Sequence, residues 1–176
     1  MSWKTVNSKI IHENPWYSLR EDDVIRPDGN AGKYYVVDGV DSVSIIAEAD
    51  DGKIYLVGQT RYPIENQYSW ETVTGSLKKG DDPLDTAKRE LEEETGFIAK
   101  EWMNLGFFNP LTGYGSEKTI LFLAKKLSKG KQNLEPTEDI TVRKESLEKI
   151  VEMIKNNEIV DGLAIVAIFK YMLYKV

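Results

Sequence analysis

The chain has 176 residues, 41% hydrophobic and 30% charged, with a formal net charge of −6, no cysteine and a single histidine, His12. Such a length and composition predict one globular domain with an ordinary core, and the absence of cysteine excludes disulfides, thiolate zinc sites and cysteine nucleophiles. One histidine excludes a two-histidine metal site, so any metal is a hard ion held by oxygen (magnesium, manganese or calcium), and the acidic balance argues against nucleic acid as a partner.

The first eighty or so residues read as strands broken by turn chemistry. Met1 to Ile11 has no continuous apolar stretch and no signal-peptide pattern. Strands are predicted over Thr5 to His12 and Tyr17 to Arg26, followed by the turn Pro27-Asp28-Gly29-Asn30. Lys33 to Val37 and Val43 to Ala49 come next, then a hairpin at Asp50-Asp51-Gly52 and a strand over Lys53 to Gln59. Tyr68 to Thr74 reads as a further single strand.

The period then changes. Asp82 can cap a helix that begins at Pro83 and ends at Gly96, with Leu84, Ala87 and Leu91 as its buried stripe. Strands resume over Phe97 to Phe108 and Thr119 to Lys125. Two helices follow, one with the stripe Leu147, Ile150, Val151 and Ile154, the other from Leu163 to Tyr174 and apolar on nearly all sides. The longest apolar run, Leu163 to Phe169, is far short of the roughly 20 residues that span a membrane, so a cytoplasmic protein is expected. The element order predicts an α/β sandwich with a mixed sheet.

The central helix carries the chemistry. Glu90, Glu93 and Glu94 stand at i, i+3 and i+4, sharing a face that is expected to lie opposite the Leu84/Ala87/Leu91 stripe. Like charges at that spacing repel, and late in a helix they oppose its dipole. A cluster of divalent cations would compensate them. A solvated acidic face is the alternative on the helix alone.

The wider spacing discriminates. Gly75, an acid at Asp81, Arg89-Glu90-Leu91, Glu93-Glu94, Gly96 and Phe97 together resemble the Nudix box, with Asp81 the one departure, where that family has Glu. The resemblance implies a Nudix-type α/β/α sandwich, a mixed sheet with an N-terminal antiparallel strand extension, and magnesium-dependent hydrolysis, with manganese a possible substitute. Carried over, Glu90, Glu93 and Glu94 become metal ligands, joined by the backbone carbonyl of Thr74. Arg89 becomes a salt-bridging residue, expected to pair with Asp81. The single domain 1–176 would then comprise the strands of residues 1–40, a dimerisation element, and the box at 75–97.

Flanking residues narrow the resemblance to the ADP-ribose and nucleoside-diphosphate-sugar pyrophosphatase branch. They are Gln59-Thr60-Arg61-Tyr62, Trp70-Glu71, Asn109-Pro110, Gly115-Ser116-Glu117 and Asn14-Pro15-Trp16-Tyr17, although Val73-Thr74 replaces the branch's Pro-Ala. Arg61 suits a phosphate grip, with an unpartnered edge-strand arginine as the alternative. Glu71 is read as a substrate contact, a supporting residue or a strand-end charge. Glu117 is read as a further carboxylate by the metals or a solvated loop residue. Trp16, Tyr34 and Tyr35 can stack on a base or pack in a core. In this branch a glutamate on a loop after the box acts on the attacking water, and Glu138 matches better than Glu135 or Asp139. The implied substrate is ADP-ribose or a nucleotide sugar and the implied assembly a homodimer, with no membrane or nucleic-acid partner. A triphosphate or dinucleoside polyphosphate hydrolase, and a non-catalytic nucleotide-sugar sensor, are the competing readings.

Overall fold

The computed structural model describes residues 2–136 and 138–176, and the chain divides into two units, one from the N-terminus to Asp41 with Asn109–Lys118, the other Ser42–Phe108 with Thr119–Val176. The first unit is built on an antiparallel sheet in the order β1 (Lys4–Glu13), β2 (Tyr17–Ile25), β3 (Ala31–Gly39). Its turns are made by side chains that mimic backbone. Asn14 Oδ1 accepts from the amides of Trp16 and Tyr17, at 2.9 and 3.1 Å, and Asp28 Oδ1 accepts from that of Asn30 at 3.0 Å. Charge holds the sheet face: Arg20 bridges Asp22 at 2.8 Å and Asp38 at 2.5 Å. Segment 109–118 joins through Val37, whose N–H donates to Tyr114 O and whose carbonyl accepts from Ser116.

Among the described residues, the second unit holds seven strands. Its main path runs β10 (Thr141–Glu145), β5 (Ile54–Arg61), β4 (Ser42–Glu48), β9 (Thr119–Lys129), β8 (Phe97–Phe108), with β6 (Gln67–Glu71) on β5 and β7 (Val73–Ser76) on β4. Only β4 and β9 are parallel among these pairs, so the sheet is mixed. Every residue of β4 is buried, as a central strand covered on both faces requires. Alternation sorts the side chains. Val43, Ile45, Ala47, Phe122 and Ala124 pack with Ala87 and Leu91 of α1 (Pro83–Thr95). Ile46, Leu121 and Leu123 pack instead with α2 (Leu147–Lys155) and α3 (Gly162–Lys175). The result is an α/β/α sandwich.

Two features depart from the sequence-based expectation, one of them β10, where no strand is predicted. The segment Tyr68 to Thr74, expected as one strand, is two. Residues 67–71 pair with β5, the chain passes through buried Thr72, and residues 73–76 pair with β4. Since β4 and β5 themselves pair only at Ala47↔Tyr55 and Glu48↔Ile54, they fork, and β6 and β7 line the two prongs. Thr72 stitches the fork, its hydroxyl 2.9 Å from that of Ser44. Helix α3, apolar on nearly all sides in sequence, packs on the sheet along Ala164, Ala167, Ile168 and Tyr171 and leaves Phe169 and Leu173 exposed. Tyr171 donates to Glu48 Oε2 at 2.7 Å, and Lys125 and Lys175 approach that carboxylate at 3.3 and 3.6 Å.

Candidate active site

The helix forms for the reasons its sequence suggests. Asp82 Oδ1 accepts from the amides of Leu84 and Asp85, at 2.9 and 3.1 Å, Pro83 occupies the first turn, and Gly96 closes the helix at φ 71°. The carboxylates, however, do not share a solvent face opposite the core stripe. Glu94 stands three residues beyond Leu91 and seven beyond Ala87, so it continues the stripe inward and is only 5% exposed. Glu90 flanks the stripe, and Glu93 is the outermost of the three.

Glu90 lies directly over Gly75 of β7. A Cβ built on Gly75 would stand 2.1 Å from Glu90 Cγ and 2.4 Å from Oε1, so the glycine is the space into which this carboxylate fits. Arg89 holds the outer pair, donating to Glu90 Oε1 at 2.7 Å and to Glu93 Oε2 at 2.6 Å. That corrects the expected pairing with Asp81, whose carboxylate instead accepts from the amide of Lys78 at 3.2 Å and shapes the loop before the helix. The two glutamates are within the arginine's own helical turn, whereas a side chain at position 81 has to reach from the preceding loop.

Across the fork, Arg61 at the end of β5 grips Glu71 of β6 with two bonds, Nε to Oε1 at 2.8 Å and an Nη to Oε2 at 2.5 Å. Glu71 is buried while the arginine is close to half exposed. The carboxylate therefore acts as a fixed post that aims a guanidinium outward. Asp161, the N-cap of α3, adds its charge to the same guanidinium.

Glu94 is the electrostatic centre. Burial, then the charges of Glu90 and Glu138, push its carboxyl up to about 9, against partial relief from Arg61. Burial likewise raises Glu90, opposed chiefly by Arg89. Glu94 Oε2 is buried without a hydrogen-bond partner, a costly state for a carboxylate oxygen. Among the described residues no three acidic groups converge closely enough to enclose an ion as they stand, because Glu90 and Glu93 are turned to Arg89. The donor set nonetheless suits a hard cation: every oxygen is a carboxylate or carbonyl, and the one orphaned oxygen lies where positive charge is missing.

The sequence-derived candidates thus fall into two sets. Arg61, Glu71, Thr74, Arg89, Glu90, Glu93, Glu94 and Glu138 all belong to the second unit. The hydroxyl of Thr74 donates to Thr72 O at 3.1 Å. Glu138 Oε2 accepts from the amide of Glu135 at 2.8 Å. Glu117 and Trp16 belong to the first unit. Glu117 lies against Gly39 and its carbonyl accepts from Asn109, while Trp16 is 73% exposed and so fills no core there. Tyr34 meets Trp3 edge-on and donates to Gly113 O at 2.6 Å, and Tyr35 is half exposed. Asp161 was not singled out by sequence; its only local signal is a cap before an apolar helix.

The profile of the NUDIX domain matches residues 39–162. The chain belongs to the Nudix family. Residues 3–37 match the nucleoside diphosphate sugar hydrolase N-terminal domain. Among Nudix relatives, an ADP-ribose pyrophosphatase of Bacillus subtilis (strain 168) is 35% identical over 94% of this chain and 90% of its own length. A methanol dehydrogenase activator of Bacillus methanolicus is 34% identical over the same shares. An ADP-ribose pyrophosphatase of Mycobacterium tuberculosis is 30% identical over 94% of this chain and 81% of its own. The crystal structure of an ADP compounds hydrolase superposes with a TM-score of 0.86 over 99% of this chain and 94% of that one, at 17% identity, and shares the Nudix fold.

Proposed function

We propose that this Nudix pyrophosphohydrolase cleaves the diphosphate of ADP-ribose or a related nucleotide sugar, releasing a nucleoside monophosphate and a sugar phosphate. Water adds to one phosphorus and the bridging oxygen leaves with the other phosphate. The observation that carries this reading is the buried, unpartnered oxygen of Glu94, beside Glu90 and across the fork from an aimed Arg61. The names of two relatives, both ADP-ribose pyrophosphatases, support the substrate class.

Magnesium, with manganese as a substitute, would be held by Glu90, Glu93, Glu94 and the carbonyl of Thr74, and would neutralise phosphate charge and acidify the attacking water. The remaining work falls to the chain. Arg61, steadied by Glu71, grips a phosphate oxygen and orients the diphosphate. Arg89 holds the side chains of Glu90 and Glu93 through one hydrogen bond to each. Glu138 takes or orients the proton of the water. In the N-terminal unit, the exposed ring of Trp16 is available to stack on a base, and strands 1–40 assemble two copies into a homodimer. The apolar side chains of β1, Val6, Ile10 and Ile11, all exposed, support such an assembly.

Product analysis tests the substrate assignment. With magnesium, ADP-ribose should yield AMP and a sugar phosphate and no inorganic phosphate, whereas preferential release of inorganic phosphate or pyrophosphate from triphosphates would overturn it. Light scattering at micromolar concentration should give the mass of two chains.

A further inference from the structure

The last turn of α1 presents an electrostatic problem. Helix ends leave carbonyls without partners and carry partial negative charge, yet this end holds Glu92, Glu93 and Glu94 and no basic residue. The segment after β9 supplies the missing donors. Gly130 N donates to Gly96 O at 2.8 Å and Asn133 N to Glu93 O at 3.0 Å. Lys131 N reaches Glu92 Oε1 at 3.3 Å, and Gln132 Nε2 donates to Glu94 O at 2.7 Å. The approach is tight, since a Cβ on Gly130 would stand 2.7 Å from that Glu92 oxygen. Of these four donors, only Gln132 uses a side chain.

From this clasp the chain runs through Leu134, packed on the α1-side core, to Glu138 and buried Ile140. Glu138 is bound back to Glu135 at both ends, side chain to amide and amide to carbonyl. The loop bearing Glu138 is therefore fastened at its root to the main-chain carbonyls of Glu93 and Glu94, two of the proposed metal ligands.

We infer that Gln132 is a positioning residue, whose amide on the Glu94 carbonyl fixes the loop root so that Glu138 is delivered to the attacking water. The inference rests on the role proposed above for Glu138. Gln132 touches no substrate in this scheme; it acts by removing slack between the helix and the loop. A displacement of about 1 Å in a group that handles a proton is enough to lower turnover by tenfold to a hundredfold.

A double-mutant cycle on the full-length enzyme separates the two claims. Gln132→Leu keeps the bulk and removes the donor; kcat for ADP-ribose should fall about tenfold, with KM changed less than about twofold. Gln132→Lys, which restores a donor to the helix end, should recover most of that loss. In a Glu138→Gln background, itself slower by about a hundredfold or more, Gln132→Leu should have no further effect. Hydrogen exchange should show faster exchange of the Asn133 amide in Gln132→Leu, with thermal unfolding near that of the wild type. If the Gln132→Leu loss persists undiminished beside Glu138→Gln, or falls on KM alone, the positioning role is overturned while Glu138 keeps its own. If Glu138→Gln alone turns over at the wild-type rate, the Glu138 reading fails, and the positioning role with it.

Discussion

Replacing Glu94 by glutamine isolates the electrostatic cost of the site. With its carboxyl pushed up to about 9, the folded protein keeps a proton that the unfolded chain has lost, across the interval from the ordinary carboxylate value to about 9. The unfolded state then binds fewer protons, so the stability of the metal-free protein falls as pH rises through that window. Each pH unit is worth about 1.4 kcal/mol for one proton, so moving from about pH 6 to about pH 8 lowers wild-type stability by roughly 2–3 kcal/mol. That is a substantial share of the 5–15 kcal/mol typical of a domain. With a urea slope of about 2 kcal/mol/M, the midpoint falls by about 1 M. The assay is urea unfolding at several pH values in EDTA. Glu94→Gln should flatten the dependence and unfold later than wild type at about pH 8. Adding magnesium should stabilise the wild type most at high pH, where the carboxylate is free to bind it, and leave Glu94→Gln unmoved. Equal pH slopes for the two proteins in EDTA would refute the assignment of the buried proton to Glu94.

Other substitutions probe the neighbouring contacts. Gly75→Ala places a methyl in the space of the Glu90 side chain; because that side chain can swing aside, stability should drop by only about 1 kcal/mol while magnesium-dependent turnover falls roughly a hundredfold, read by melting and steady-state kinetics. Arg61→Lys keeps the charge but loses the two-point grip on Glu71, so kcat/KM should decline about 10–100-fold with the fold retained on circular dichroism. Tyr171→Phe removes a donor from the buried Glu48 carboxylate; a loss of about 1.5–3 kcal/mol and unchanged turnover are expected from calorimetry and activity together.

What the sequence disclosed was mostly what local chemistry decides. Asp82 and Gly96 bracket α1 because a cap and a left-handed glycine act within a few residues. Gly75 and the glutamates stand out because their spacing is itself the motif. The misread strands share a tertiary origin. Tyr68 to Thr74 alternates except for the adjacent polar pair Glu71-Thr72, and that single slip does not by itself say that the two halves find different partners. The five residues of β10 form a charged edge whose pattern, Thr-Val-Arg-Lys-Glu, carries little apolar signal. Grouping Glu94 with Glu90 puts it on a solvent face, whereas its spacing from Ala87 and Leu91 places it on the stripe. Gln132 left a trace only by omission, in a helix terminus without a cation.

The splaying of β4 from β5 separates two tasks. The prong formed by β5 and β6 carries the Arg61–Glu71 pair, proposed above to orient the diphosphate; the prong formed by β4 and β7 carries Thr74 and Gly75, the glycine leaving the space that Glu90 fills. Thr72 is the crotch between them. On the roles proposed above, substrate preference can drift along one limb without disturbing ion capture on the other, and loop grafts between relatives should be cut at this residue.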